Sequence, residues 1–153
     1  MFEPHHYLKL PRMVAATYYV GTVDGEPVCH VAASPWLQSD GMRACRLVVM
    51  PEWQGAGVGM RFLNAVCQLQ VSGKSKWGSR VRAVYFHTSH PGLCEAIRRD
   101  KKWVQCSQAM LGVNKKKSGA SIRKSIGGQG IGYGGHFRAV QGFKYTGERA
   151  VVA

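Results

Sequence analysis

Apolar and polar positions alternate twice near the start of the chain. Tyr18–Thr22 and Val28–Ala33 read as strands. Between them, Val23-Asp24-Gly25-Glu26 carries the Asp-Gly pair that favours a tight hairpin turn. After the polar stretch WLQSDGMR, the run ACRLVVM (44–50) is apolar enough for a strand buried on both faces. The period then changes: Val58, Phe62, Leu63, Val66, Leu69 and Gln70 recur at helical spacing and predict a helix over 57–72. GKSKWGSR breaks it. VRAVYFHT is a fourth strand, HPGLCEAIRRDKKW fits a second helix capped by Ser89 with Pro91 in its first turn, and VQCSQAML is a further strand. Residues 112–136 are rich in Lys, Ser and Gly and predict a long excursion; FRAVQGFKYTG then returns to strand character. Residues 1–14 hold two prolines and His5-His6-Tyr7, and predict an irregular or short helical segment. There is no internal repeat. A hairpin followed by strand, helix, strand, helix, strand, excursion and strand implies an α/β fold with a mixed sheet and right-handed crossovers.

Composition narrows this without changing it. The 153 residues suit a single domain with its own core, and a 45% apolar content excludes a disordered chain. No apolar stretch approaches the ~20 residues of a membrane span, and the N-terminus lacks a charged-then-apolar signal pattern, so a cytoplasmic protein is expected. The five cysteines, Cys29, Cys45, Cys67, Cys94 and Cys106, are odd in number and include no CxxC pair. Neither a metal site nor a disulfide framework is expected from them.

The chemistry concentrates in Val49-Met50-Pro51-Glu52-Trp53-Gln54-Gly55-Ala56-Gly57-Val58-Gly59. Glycine at a helix mouth has a backbone cost of about 0.5–1 kcal/mol relative to alanine, so something should require that backbone. Between a buried strand and a helix, successive N–H groups point outward with the positive end of the macrodipole behind them. That is a cradle for a phosphate or pyrophosphate. A dinucleotide fingerprint would need GxGxxG and an acid about twenty residues on; here the spacing is GxGxG, and no acid lies between Glu52 and Glu95. Gly73-Lys74-Ser75 has the tail of a P-loop but lacks its first glycine.

The same eleven residues resemble the acetyl-CoA motif of the GNAT superfamily of N-acetyltransferases, (Gln/Arg)-x-x-Gly-x-Gly/Ala after a V-x-P strand end. The resemblance in element order runs from about residue 17 to 106, with a final strand near 137–147. Thr88-Ser89-His90-Pro91 through Trp103 also resembles a GNAT subgroup found in phages and beside bacterial ABC-type ATPase domains. The resemblance implies a GNAT-type mixed sheet, flanked by helices, that splays open at the strand before the glycines. It implies acetyl-CoA as the acyl donor. Leu47, Val48 and Val49 would offer main-chain groups to the thioester and pantetheine, and Gln54, Gly55, Ala56, Gly57, Val58 and Gly59, with Met60, would hold the pyrophosphate. Arg61 would reach a phosphate or stay solvated.

Direct transfer to an amine needs a neutral amine, a polarised carbonyl and a protonated leaving thiolate. The family often uses a Tyr on the helix after the fourth strand as the acid; that position falls on Arg98 here, and the Asn that usually opens that helix falls near His90 and Pro91. Replacement candidates are His87 at the strand end, His90 and Ser89 at the helix start, and Tyr145 on the last strand. His5, His6, Tyr7 and His30 are candidates for contacting the acceptor, against the alternatives of a disordered terminus and a core histidine.

Charge adds the last clue. Residues 1–72 balance five basic residues with five acids, whereas 73–153 hold sixteen basic residues against three acids, so the net +13 lies in the second half. Such asymmetry suggests a polyanionic partner. Lys115, Lys116 and Lys117, with Tyr133, His136 and Phe137 nearby, fit a segment that tracks phosphates and stacks on bases, or a solvated loop. The expected function is acyl-CoA-dependent N-acylation, with the acceptor amine on DNA or RNA, either a base or an aminoacyl-tRNA. The alternatives are a small-molecule or protein acceptor, or a module that binds CoA or nucleic acid without turnover.

Overall fold

The structure, a computed structural model, describes residues 2–5, 13, 15–36, 40–76, 82–111 and 138–147. Six strands, β1 (Thr17–Val23), β2 (Glu26–Trp36), β3 (Gly41–Val49), β4 (Ala83–Thr88), β5 (Trp103–Leu111) and β6 (Arg138–Tyr145), make one sheet in the order β1-β2-β3-β4-β6-β5. Helix α1 (Val58–Val71) follows β3, and α2 (Pro91–Arg99) follows β4. The β3–β4 pair is parallel and the others antiparallel. The hairpin turn forms where Asp-Gly predicts it, with Asp24 at φ 50° and Gly25 at φ 85°. No helix among the described residues is long and apolar enough to cross a membrane.

Both helices pack on one face. Leu63, Val66, Cys67 and Val71 of α1 and Cys94 and Ile97 of α2 meet Val31, Ala33, Met42, Ala44, Val84, Phe86, Phe143 and Tyr145 of the sheet. Alternation sends Trp36, Arg43, Tyr85 and His87 to the opposite face. Asn64, midway along α1, ties that helix to the end of α2 and the start of β5: it donates to Asp100 at 2.6 Å and accepts from Trp103 Nε1 at 2.7 Å.

Three expectations change. β3 is not buried on both faces: Arg43 is exposed and Cys45, Arg46 and Leu47 are half-buried, because the second face carries no helix among the described residues. On α1, Leu69 is turned outward instead of inward, whereas Gln70 is buried as its spacing predicts and its amide donates to the Tyr19 hydroxyl at 2.9 Å. The α2 cap is His90, not Ser89: its Nδ1 accepts from the Leu93 N–H at 3.2 Å, and Pro91 occupies the first turn. The predicted excursion at 112–136 lies outside the described residues.

Candidate functional site

Two irregularities in β3 open the sheet. Opposite β2 the register slips between His30 and Ala32, so β3 carries an extra residue there, and Arg46 takes a left-handed φ of 53°. A bulge bends its strand and re-aims the residues beyond it. On the other side, β3 and β4 pair from Gly41↔Ala83 to Ala44↔Phe86 and then part. From there β4 pairs only with β6, through His87↔Gly142 and Thr88↔Gln141. Leu47, Val48 and Val49 therefore face a gap instead of a neighbouring strand.

That gap is a cleft of about 620 Å³. One wall is Leu47–Val49; the end wall is Trp53, Gln54, Gly55 and Gly57–Gly59; the other side is the first turns of α2, with His90, Gly92, Leu93 and Ala96. His5, on a short 3-10 helix, closes the remaining edge. The loop is built as its sequence requires. The Gln54 amide donates to the Val49 carbonyl at 2.9 Å and folds the chain back on the strand end. Gly55 and Gly57 have φ of 83° and 74°, in the left-handed region that suits glycine. Gly57 caps α1 without a side chain, so the first N–H groups of the helix have no intrahelical acceptor and face the cleft end. Gly59 serves close approach instead: a Cβ there would lie 2.9 Å from Val49 Cγ2. The three glycines thus bring a helix N-terminus and its dipole against the strand end, which suits an anionic group.

The structure separates the residues that the sequence proposes for the site. Leu47, Val48, Val49, Gln54, Gly55, Gly57, Val58 and Gly59 line the cleft. Ala56 is exposed on the turn, and the Met60 side chain packs toward the core. Arg61 lines a separate pocket with Asn64, Gln68 and Lys102. His90 and His5 border the cleft. Ser89 is half-buried just before the cap. His87 is the first β4 residue beyond the last β3–β4 pair, so it stands at the apex of the opening, on the face opposite the helices. Trp36 meets it edge-on at 5.4 Å, and its Nδ1 is buried with no hydrogen-bond partner among the described residues. Burial, and secondarily the nearby Arg43 cation, hold its pKa below the ordinary 6.5. Neutral imidazole is therefore its resting form at pH 7.

Tyr145 is not brought to the cleft. It pairs with Val84, toward the other end of β4, packs against Trp103 at 5.0 Å, and its hydroxyl lies 3.1 Å from Gln68 Oε1. His30 stacks on Phe2 at 4.9 Å and lies 6.2 Å from the Tyr18 ring, a packing role at the sheet's far face. Arg98, where the resemblance places a Tyr, is exposed and bonds the side chains of Gln105 and Gln141. Burial raises the pKa of Cys29, Cys45, Cys67 and Cys94, which argues against a resting thiolate at any of them. No group of three or more potential metal ligands occurs among the described residues. His6, Tyr7, Lys115, Lys116 and Lys117 lie outside the described residues. Sequence reasoning missed Trp53 and the α2 wall; Gly92, Leu93 and Ala96, spaced to share one helix face, were the available signal.

No family model matches the chain, and no curated protein matches it in sequence. Solved structures do match in fold. The ribosomal-protein-S18-alanine N-acetyltransferase from Escherichia coli superposes with a TM-score of 0.57 at 10% identity, covering 94% of this chain and 82% of that one. A GNAT family acetyltransferase from Elizabethkingia anophelis with acetyl-CoA bound gives 0.53 at 14% identity, covering 85% and 74%. A variant spermidine N-acetyltransferase from Vibrio cholerae gives 0.56 at 12% identity, covering 86% and 65%, so the chain spans just under two thirds of that protein. The chain has the GNAT fold. The likeness of Thr88–Trp103 to the phage-associated subgroup rests on sequence alone.

Proposed function

We propose that this protein is an acetyl-CoA-dependent N-acyltransferase that passes the acyl group directly to an amine. The observation that carries the reading is the splayed β3–β4 pair closed at one end by the glycine-built N-terminus of α1. An elongated ligand with a thioester at one end and a pyrophosphate further along fits that shape. Gly55–Gly59, with the Met60 N–H, would hold the pyrophosphate, and the main chain of Leu47–Val49, unpaired on the β4 side, would hold the pantetheine amides. Bound there, acetyl-CoA supplies an activated acyl thioester.

With the helix side of the cleft given to that ligand, the acceptor enters from the opposite face, where His87 stands. An amine attacks only when neutral. His87, resting neutral because it is partly desolvated, takes the amine proton as the N–C bond forms and the C–S bond breaks. On the helix side, His90 has its Nδ1 engaged by the Leu93 N–H, which leaves Nε2–H as a donor. It hydrogen-bonds the sulfur as thiolate charge develops, assisted by the α2 dipole. A main-chain N–H near Val49 polarises the carbonyl.

The acceptor reading has its own support. Of the described carboxylates Asp24, Glu26, Asp40, Glu52, Glu95 and Asp100, none stands beside His87. Arg43 does, together with Trp36 and Tyr85. A polyamine finds no counter-charge from these six there; an amine on a nucleic acid finds a cation and aromatic rings. The net charge of +13 points the same way.

Calorimetric titration with acetyl-CoA, alone and with a mixed pool of short DNA and RNA, tests both levels. Micromolar binding is expected, and acetyl transfer to a component of the pool identifies the acceptor. No binding of acetyl-CoA by folded protein refutes the enzyme reading.

A further inference from the structure

Gly142 is the middle residue of a row that crosses three strands. On one side it pairs with His87 of β4 and on the other with Ser107 of β5, so all three present to the same face. The row owes its third member to a bulge. Gln105 pairs with Phe143, and unbroken alternation would set Cys106 opposite Gly142; the register slips by one there, Cys106 is the extra residue, and Ser107 takes the place. Both side chains lean over the glycine. A Cβ on Gly142 would overlap Ser107 Oγ and lie 2.9 Å from both Cδ2 and Nε2 of His87. The absence of that one carbon leaves a space into which the hydroxyl and the imidazole both lean, with no hydrogen bond between them in this structure.

This fixes the ring's orientation. Its Cδ2–Nε2 edge lies over Gly142 of β6, so Nδ1 is on the edge turned away from that glycine. Nδ1 is also the atom that is buried without a partner among the described residues.

We infer that Ser107 is a positioning residue for His87: a turn of its side chain sets Oγ to accept the Nε2–H, which fixes that tautomer and leaves the Nδ1 lone pair to take the amine proton. This rests on the acyltransferase reading for its purpose but not for its geometry. The amine proton passes to Nδ1, and the Nε2 proton leaves through the exposed Ser107 hydroxyl to water, so the imidazole ends neutral. Gly142 and the β5 bulge exist in this arrangement to seat the serine. Among the described residues, the groups on the imidazole's face of the sheet are Arg43 from β3, Tyr85 from its own strand, Lys144 from β6 two residues from Gly142, Trp36 from β2 and Ser107 from β5, whose Oγ shares the space over Gly142 with Nε2.

The test reads the full chain without substrate. Nitrogen NMR of labelled histidines, with His87 identified by its loss in His87→Gln, should show Nε2 protonated and Nδ1 bare. Ser107→Ala should mix the tautomers and move the His87 pKa, and Ser107→Thr should restore both. In acyl-transfer assays Ser107→Ala should lower kcat roughly tenfold with KM for acetyl-CoA unchanged, the size of loss typical of a residue that orients another. An unchanged tautomer and pKa in folded Ser107→Ala overturns the inference. Failure of the parent to bind acetyl-CoA would remove the enzyme reading yet leave the NMR result to decide the Ser107–His87 contact.

Discussion

Two residues in the loop and strand end separate binding from folding. Gly57 has open space around its missing Cβ but a left-handed backbone. Aspartate tolerates that backbone better than most residues, so Gly57→Asp should fold. Its carboxylate, however, would stand where a phosphate is to sit. Acetyl-CoA affinity should fall by at least roughly a hundredfold, the equivalent of about 2.7 kcal/mol, with little change in Tm; titration against the parent checks both. His87 separates chemistry from binding. His87→Gln should leave acetyl-CoA affinity unchanged and lower kcat by roughly 10²–10⁴. In the parent, kcat/KM should fall as pH drops through a value below 6.5, because the base must be neutral, and the variant should lose that limb. The same histidine affects stability. Its folded pKa lies below its unfolded value, so the unfolded chain binds more protons between the two. This contribution is complete above pH 6.5 and is lost as pH falls below it. Melting at pH 5 and at pH 7.5 should therefore differ less in His87→Gln than in the parent.

Among the elements, α2 shows how one side chain can serve two purposes. His90 ends the extended segment after β4, accepts the Leu93 N–H and borders the cleft. His90→Ala should cost about 1 kcal/mol through loss of the cap, seen as a lower Tm. Asparagine caps helices well but cannot place a ring N–H in the cleft. His90→Asn should thus keep the Tm and lose acyl transfer. If His90→Asn turns over normally, the histidine is a cap alone. The elements also show which sequence signals survive folding. Helix α1 spans Val58–Val71 against an expectation of 57–72 because its apolar spacing and flanking glycines agree. Gln70 is buried as its spacing predicts, but the partner that lets it stay there was not readable: the Tyr19 hydroxyl, on a strand 51 residues away, accepts its amide proton.

Taken whole, the molecule segregates its charge. The first 72 residues, which build the glycine loop and β3, are neutral, and the excess of +13 lies after them. If the acceptor is a nucleic acid, binding should weaken steeply with salt, and neutralising Lys115, Lys116 and Lys117 to glutamine should reduce the slope of log K against log salt by up to about three. Salt-independent binding of the parent, or no binding to the DNA and RNA pool, would exclude that acceptor class while leaving the acetyl-CoA cleft intact.

Periodicity and local chemistry were enough to determine the element order, the hairpin and the helix mouth that could cradle a phosphate. Each of these depends on neighbours in sequence: alternation, a turn dipeptide, glycines before a helical repeat. Tertiary structure alone decided which candidates meet. Tyr145 and His87 both lie on strand positions consistent with catalysis, yet β6 runs antiparallel to β4, so its last residue pairs with Val84 and is carried away from the splay. The bulge in β3, the parting of β3 from β4 and the slip that sets Ser107 over Gly142 are matters of register. Register is fixed by pairing between distant segments, and no single stretch of the chain contains both partners.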